Sequence, residues 1–190
     1  MTKITKEDKV MGTQVVASTS SAQNEVNSSL SFGAALAGKY MTFKLALEEY
    51  GVEILKVREI IGLMDITSVP KTDKFVSGVI NLRGKVIPVI DLRLKFGMDK
   101  IEATDTTVII VVQINHKDQE LTIGIMVDEV LEVLDVKADQ IEPPPSFGGA
   151  TVDTDYILGV GKEENRVIFL LDIDKVLTVE EVDKVSKQPQ

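Results

Sequence analysis

The sequence predicts an all-β protein: two similar small β-barrel or sandwich units, each ending in a short capped helical turn, fused along an apolar seam. Three observations carry this. Residues 75–96, FVSGVINLRGKVIPVIDLRLKF, return without a gap 81 positions later as 156–177, YILGVGKEENRVIFLLDIDKVL. Gly78, Val79, Val86, Ile87 and Asp91 meet Gly159, Val160, Val167, Ile168 and Asp172. A second register, offset by 73, aligns Gly51 with Gly124, Val57 with Val130, Glu59 with Glu132, and Ile60-Ile61 with Val133-Leu134. Two matches in the same order indicate an internal duplication. The third observation is composition: hydrophobic residues make up 44 % but aromatics only 5 %, so the core is aliphatic and suits strands.

Taken in order, residues 1–39 are expected to be a disordered tail, because Ser, Thr, Asn, Ala and Gly dominate and large apolar residues lack a period. Structure is expected from Tyr40, where Met41, Phe43, Leu45 and Leu47 alternate onto one strand face. Residues 52–61 do not settle by periodicity. Val52 and Ile54 share a strand face on which Lys56 and Arg58 follow, and helical spacing fits Ile54, Val57 and Ile61 about as well. The second copy, 125–134, switches face in the same place, and a bulge in a long strand would explain both. On that reading one strand cannot bury both Ile54 and Val57, and Val57 reaches the surface beside Glu59.

Residues 75–90 read as a hairpin turning within 81–85, with Gly84 at positive φ and Arg83 projecting from the tip. Asp91 caps a short helix that Gly97 stops. The first unit therefore spans 40–98, a polar linker 99–105, and the second unit 106–178. A long loop around Pro143-Pro144-Pro145 and Phe147-Gly148-Gly149 precedes the second hairpin, and a charged end at 179–190 is expected to fray. A unit of about 70 residues buries too little surface to be stable alone, which requires the seam.

Charge and residue usage exclude several functions. A formal charge of −9 argues against nucleic acid and against an anionic membrane surface. With no cysteine there is neither a disulfide framework nor a thiolate metal site, and one histidine, His116, supplies no histidine-rich centre. No run approaches a membrane span and 1–14 has no signal-peptide core, so a soluble cytoplasmic protein is expected. The repeat-related Asp91 and Asp172 raise the idea of an aspartic-protease dyad. That chemistry needs a tight Gly- and hydroxyl-containing turn after each Asp, and Leu92-Arg93 and Ile173-Asp174 supply neither. Two helix caps account for both. No phosphate loop, calcium loop or nucleophile–base pair is present, so a binding module without cofactor or catalytic residues is expected.

Tyr40-Met41-Thr42-Phe43, the run from Tyr50-Gly51-Val52 to Glu59-Ile60, Gly78-Val79-Ile80-Asn81-Leu82-Arg83-Gly84 and Val86-Ile87-Pro88-Val89-Ile90-Asp91-Leu92-Arg93 resemble the CheW family of bacterial chemotaxis coupling proteins. The resemblance covers 39–177. It implies two fused, pseudo-symmetric SH3-like five-stranded barrels without catalytic activity. It also implies two partners: the regulatory domain of the histidine kinase CheA and the cytoplasmic tip of methyl-accepting receptors. Carried over by position, the receptor-facing groove includes Val57, Glu59, Gly78 and Arg83, with Val130 and Val133 as candidates for either partner. The kinase's own CheW-like domain and the adaptor CheV need further domains, for which 190 residues leave no room. A CheW-like regulatory module of another signalling system is the alternative within the family. The rival class is a small-ligand-binding barrel, since pockets are not written in motifs.

Overall fold

The computed structural model describes residues 31–117, 119–144 and 155–186. The expectations for 1–30, for the loop centre at 145–154 and for 187–190 lie outside the described residues. Among the described residues, eleven strands form two sheets. Those of the first half are β1 (Gly38–Leu45), β2 (Glu48–Glu53), β3 (Val57–Gly62), β4 (Val76–Leu82) and β5 (Lys85–Asp91). The second half supplies β6 (Val108–His116), β7 (Gln119–Val127), β8 (Glu129–Val136), β9 (Ile141–Glu142), β10 (Ile157–Glu163) and β11 (Arg166–Leu171). The sheets form two SH3-like barrels. Barrel I has the order β3-β6-β7-β5-β4, and barrel II the order β8-β1-β2-β11-β10-β9.

Each barrel draws strands from both halves of the sequence, so the contiguous units 40–98 and 106–178 do not coincide with the barrels. Each half sends its first hairpin into the barrel built mainly by the other half. The chain crosses from barrel II to barrel I between β2 and β3, and back between β7 and β8. This crossing explains the lost periodicity at 52–61: β2 ends at Glu53, and a 3₁₀ turn, Ile54–Lys56, redirects the chain into β3. The expected bulge is present as well. β3 slips one residue against β6 between Val57 and Glu59, and β1 and β8 slip at the equivalent place.

The duplication holds in the pairing itself. Leu170 lies beside Gly51 in the parallel pair β11/β2, and Val89 lies beside Gly124 in the parallel pair β5/β7. The hairpins β4/β5 and β10/β11 bulge at equivalent points, between Val76 and Gly78 and between Ile157 and Gly159. The largest apolar cluster joins Met41, Phe43, Tyr50 and Val52 of barrel II to Ile90, Ile110, Val112 and Ile125 of barrel I. That is the predicted seam. Two smaller clusters fill the barrels: Ile80, Ile87, Val89, Ile109 and Val111 in barrel I, and Tyr40, Val136, Ile141, Ile168 and Leu170 in barrel II.

Both ends of the described chain are more ordered than expected. Residues 31–36 are helical (α1), and β1 starts at Gly38. Phe32 and Leu36 pack onto the barrel II cluster, and the Leu36 carbonyl accepts the Tyr40 hydroxyl at 2.7 Å. Burial, and secondarily Glu53, push that phenol up to about 12, so it stays a donor. α1 comes close because Gly33 is a glycine: a β-carbon there would stand 1.9 Å from the Ala138 carbonyl oxygen. Sequence alone does not reveal this segment, because the six described helical residues are too few to show a helical period.

At the other end, α3 (Val179–Ser186) replaces the expected frayed stretch. Thr178 and Glu181 form a capping box, with Thr178 N–H donating to Glu181 at 2.7 Å and Glu181 N–H to Thr178 Oγ1 at 3.3 Å. Val182 is buried in the seam, and Glu181 accepts Lys95 of the first half at 2.6 Å. Lys95 belongs to α2 (Leu92–Lys95), whose N-terminus is capped as predicted, Asp91 Oδ1 accepting Leu94 N–H at 3.2 Å. Asp172 does the corresponding work for a turn rather than an α-helix, accepting Asp174 N–H at 3.2 Å.

Candidate functional site

The β4–β5 hairpin closes through Leu82 and Lys85, which leaves Arg83-Gly84 as a two-residue turn. Both residues have positive φ, +53° and +83°, the type I′ geometry that matches strand twist. Asn81 Oδ1 accepts Gly84 N–H at 2.9 Å and stiffens it. The Arg83 side chain is thereby held out, 79 % exposed, and its Nη2 donates to Glu59 Oε2 at 2.7 Å. Glu59 sits just past the β3 bulge. Sequence-predicted Glu59 and Arg83 are thus brought together as an ion pair at an open corner of barrel I.

The other predicted residues fall elsewhere. Val57 does not stand free beside Glu59: it is half-buried and packs, like Ile54, against the seam cluster. The 3₁₀ turn lets the chain turn both inward, which a continuous strand could not. Gly78 is buried, with φ +142°, beneath the backbone of residue 67. Thr67 and Val79 exchange hydrogen bonds at 2.9 Å, and a β-carbon on Gly78 would come within 2.2 Å of the Thr67 carbonyl oxygen. Its requirement is structural. Val130 packs against the seam, whereas Val133 is 46 % exposed on barrel II.

Leu47, expected on the inward face of the first strand, instead lies past the end of β1 in the β1–β2 turn and is 93 % exposed. Among the exposed aliphatic residues that sequence reading passed over are Ile60 and Val86 on barrel I and Val167 on barrel II. Ile60 plus 73 is Val133, and Val86 plus 81 is Val167, so each barrel presents the same pair. The signal was available in the repeat: both copies keep an aliphatic residue at a position alternation assigns outward.

The equivalent corner of barrel II differs in charge. There the turn is Glu164-Asn165, and Arg166 is the first residue of β11. Arg166 donates to Glu132 at 2.9 Å and lies 3.6 Å from Glu49 Oε2, a buried oxygen that accepts no hydrogen bond. Donating that hydrogen bond to Glu132 raises the Arg166 pKa above its ordinary value.

Among the described residues no cluster of three or more His, Cys, Asp or Glu is arranged to hold a metal ion. Asp91 and Asp172 are occupied as caps, and His116 sits at the end of the β6–β7 hairpin opposite Gln119. What the corners present is an ion pair each, Glu59 with Arg83 and Glu132 with Arg166, and exposed aliphatic side chains on the adjoining strands.

Residues 39–181 match the model of the CheW-like domain. The chain belongs to that family. It is 40 % identical to the chemotaxis protein CheW of Klebsiella aerogenes over 158 residues, 82 % of this chain and 92 % of that one. It is 37 % identical to CheW of Bacillus subtilis over 151 residues, 79 % of this chain and 90 % of that one. Among solved structures, the scaffolding protein CheW of Thermoanaerobacter tengcongensis superposes with a TM-score of 0.67 at 37 % identity, covering 76 % of this chain and 95 % of that one. Within this CheW-like family the chain is a chemotaxis coupling adaptor. No helix among the described residues is long and apolar enough to cross a membrane.

Proposed function

We propose that this adaptor is non-catalytic, works in the cytoplasm and holds two partners at once. On this reading the corner around Glu59 and Arg83 takes the cytoplasmic tip of a methyl-accepting receptor, and a separate surface takes the regulatory domain of the kinase CheA. The observation that supports it best is the Glu59–Arg83 pair, an arginine held open on a stiff turn near exposed Ile60 and Val86. Such a corner can take the apolar face of a helix and bond its polar flank. Gly78 and Val57 belong to this reading as supports behind the corner. Val133 and Val167 on barrel II are the counterpart apolar pair for the kinase, with Val130 behind them. The small-ligand reading has less to rest on, since both barrel interiors are filled with aliphatic side chains.

The test is titration of well-folded variants against each partner. Val57 is unsuitable for a charged substitution because it packs against the core. Arg83→Ala and Ile60→Asp are expected to weaken receptor binding by about 1–3 kcal/mol, the range of useful interface residues. Affinity for the kinase regulatory domain is expected to change less than about threefold, a difference of well under 1 kcal/mol. A parallel loss of both affinities would refute the two-surface reading.

A further inference from the structure

The two halves of the duplicated sequence meet at the crossings, and each crossing is fastened by an ion pair. At the first, Lys56 Nζ lies 2.5 Å from Asp174 Oδ2. At the second, Arg93 Nη1 lies 2.6 Å from Asp128 Oδ2. These are not surface decorations: the side chains are 23 % and 27 % exposed in the first pair, 13 % and 21 % in the second. Each aspartate also anchors the tip of a hairpin. Asp128 accepts Ala46 N–H of the β1–β2 turn at 2.7 Å, and Asp174 accepts Asn115 N–H, next to last in β6, at 2.9 Å.

The two fastenings stand at equivalent places but carry opposite signs. Under the repeat, Leu55-Lys56 corresponds to Asp128-Glu129, and Arg93 corresponds to Asp174. The first half is cationic at both places and the second half anionic at both. Lys44 of β1, which meets Glu129 of β8 at 3.7 Å, adds a third pair of the same polarity. Because the halves share one backbone plan, two first halves or two second halves could in principle pair as the unlike halves do. The charges oppose this. Two first halves would set Lys56 against both Lys44 and Arg93, with Arg93 facing Leu55 instead of Asp128. Two second halves would bring Asp174 against Asp128 and Glu129. Two further contacts run the other way, Arg166 with Glu49 at 3.6 Å and Lys184 with Asp73 at 3.1 Å. The first would leave Glu49 facing Lys85, one attraction against a cluster of three cations.

We propose that these inverted crossings are a pairing code: they make each half accept only the unlike half, and so keep duplicated halves of different chains from assembling with their own kind. The partner surface is the crossing region itself, and the excluded partner is the like half of a second copy of this chain. Like charges set face to face in a partly buried site are a standard means of rejecting a wrong partner.

The full chain tests this, because a charge swap can restore the native pair while making like-with-like pairing attractive. Lys56→Glu with Asp174→Arg keeps one cation and one anion at the first crossing. It also places opposite charges where two first halves, or two second halves, would meet. Arg93→Glu with Asp128→Arg does the same at the second crossing. Each double variant and the wild type are refolded from denaturant over a range of concentrations, and their masses are measured by size-exclusion chromatography with light scattering. Both swaps are expected to give at least a tenfold larger dimer fraction than the wild type at equal concentration. The neutral pair Lys56→Met with Asp174→Asn, which removes the fastening without inviting like halves, is expected to stay monomeric even if less stable. Exchange of unlike halves between chains is open to all of these proteins and cancels in the comparison. Monomer alone from both swaps, or as much dimer from the neutral pair, would overturn the proposal.

Discussion

Barrels I and II follow one strand plan, yet they are closed by different means. Barrel I is closed by a single bridge, where Thr67 pairs with Val79 over Gly78. Barrel II is closed at the same position by β9, which pairs with β10 over Gly159, and its core is further covered by α1. The difference shows that the duplicated sequence specifies the strands and the seam, while the closures are free to diverge. A closure involves few residues and can be replaced by any segment that brings apolar side chains and satisfied backbone groups.

The paired glycines give the largest expected contrast. Gly78 combines φ +142° with a β-carbon position 2.2 Å from the Thr67 carbonyl oxygen. At Gly159 the nearest atom, the Glu142 carbonyl oxygen, would be 3.0 Å away, and φ is not in the positive region. Gly78→Ala is therefore expected to cost about 3 kcal/mol, from strain and displacement of the 67 segment together. Gly159→Ala should cost about 1 kcal/mol, since a small shift relieves it. Urea unfolding of both variants measures this, and equal losses would mean that the closures are not different in kind. The result also bears on partner binding: any loss of receptor affinity in a Gly78 variant must be read against its folding.

α1 offers a test whose sign decides. In a free helix, Gly→Ala is favourable by about 1 kcal/mol. At Gly33 the added carbon would meet the Ala138 carbonyl oxygen at 1.9 Å, so the docked helix must move off, uncovering Phe32 and Leu36. Gly33→Ala is expected to destabilise by about 2 kcal/mol, the order of one uncovered large apolar side chain. A stabilised Gly33→Ala variant in thermal unfolding would show that α1 does not sit against the 138–140 turn.

How much of this was legible in the sequence follows from what a pattern can encode. The repeat, the turn at Arg83-Gly84, the cap at Asp91 and the bulges were readable because each is written in local chemistry or spacing. The two offsets, 81 and 73, were readable too, and their difference of eight lies in the longer connection between β8 and β10 than between β3 and β4. The exchange of hairpins between barrels was not. Alternation tells which side chains are inward, not which sheet supplies the neighbouring strand. The break at 52–61 was its trace, and it misplaced Val57 because a bulge and a crossing leave the same mark. At the site, Glu59 and Arg83 stood out by charge, while Ile60 and Val86 passed as ordinary strand aliphatics. α3 passed as a frayed end because its charges hid Val182, whose burial depends on the first half of the chain.

The two corners provide the smallest effect and the one that best separates folding from recognition. Arg83 is an exposed partner: removing it leaves Glu59 able to reach water, and an exposed pair is worth little. Arg83→Ala should therefore change stability by less than about 0.5 kcal/mol. Arg166 serves two carboxylates, and one of them, Glu49, has a buried oxygen with no hydrogen-bond donor. Arg166→Ala strands that group, which should cost about 1–2 kcal/mol. Replacing Glu49 by Gln in the same chain removes the stranded charge and should recover part of the loss, the non-additivity that a double-mutant cycle reads. If instead Arg83→Ala proves the more destabilising, the open corner is a structural latch. Its arginine would then be committed to the fold, and the case for a recognition surface on barrel I would rest on Ile60 and Val86 alone.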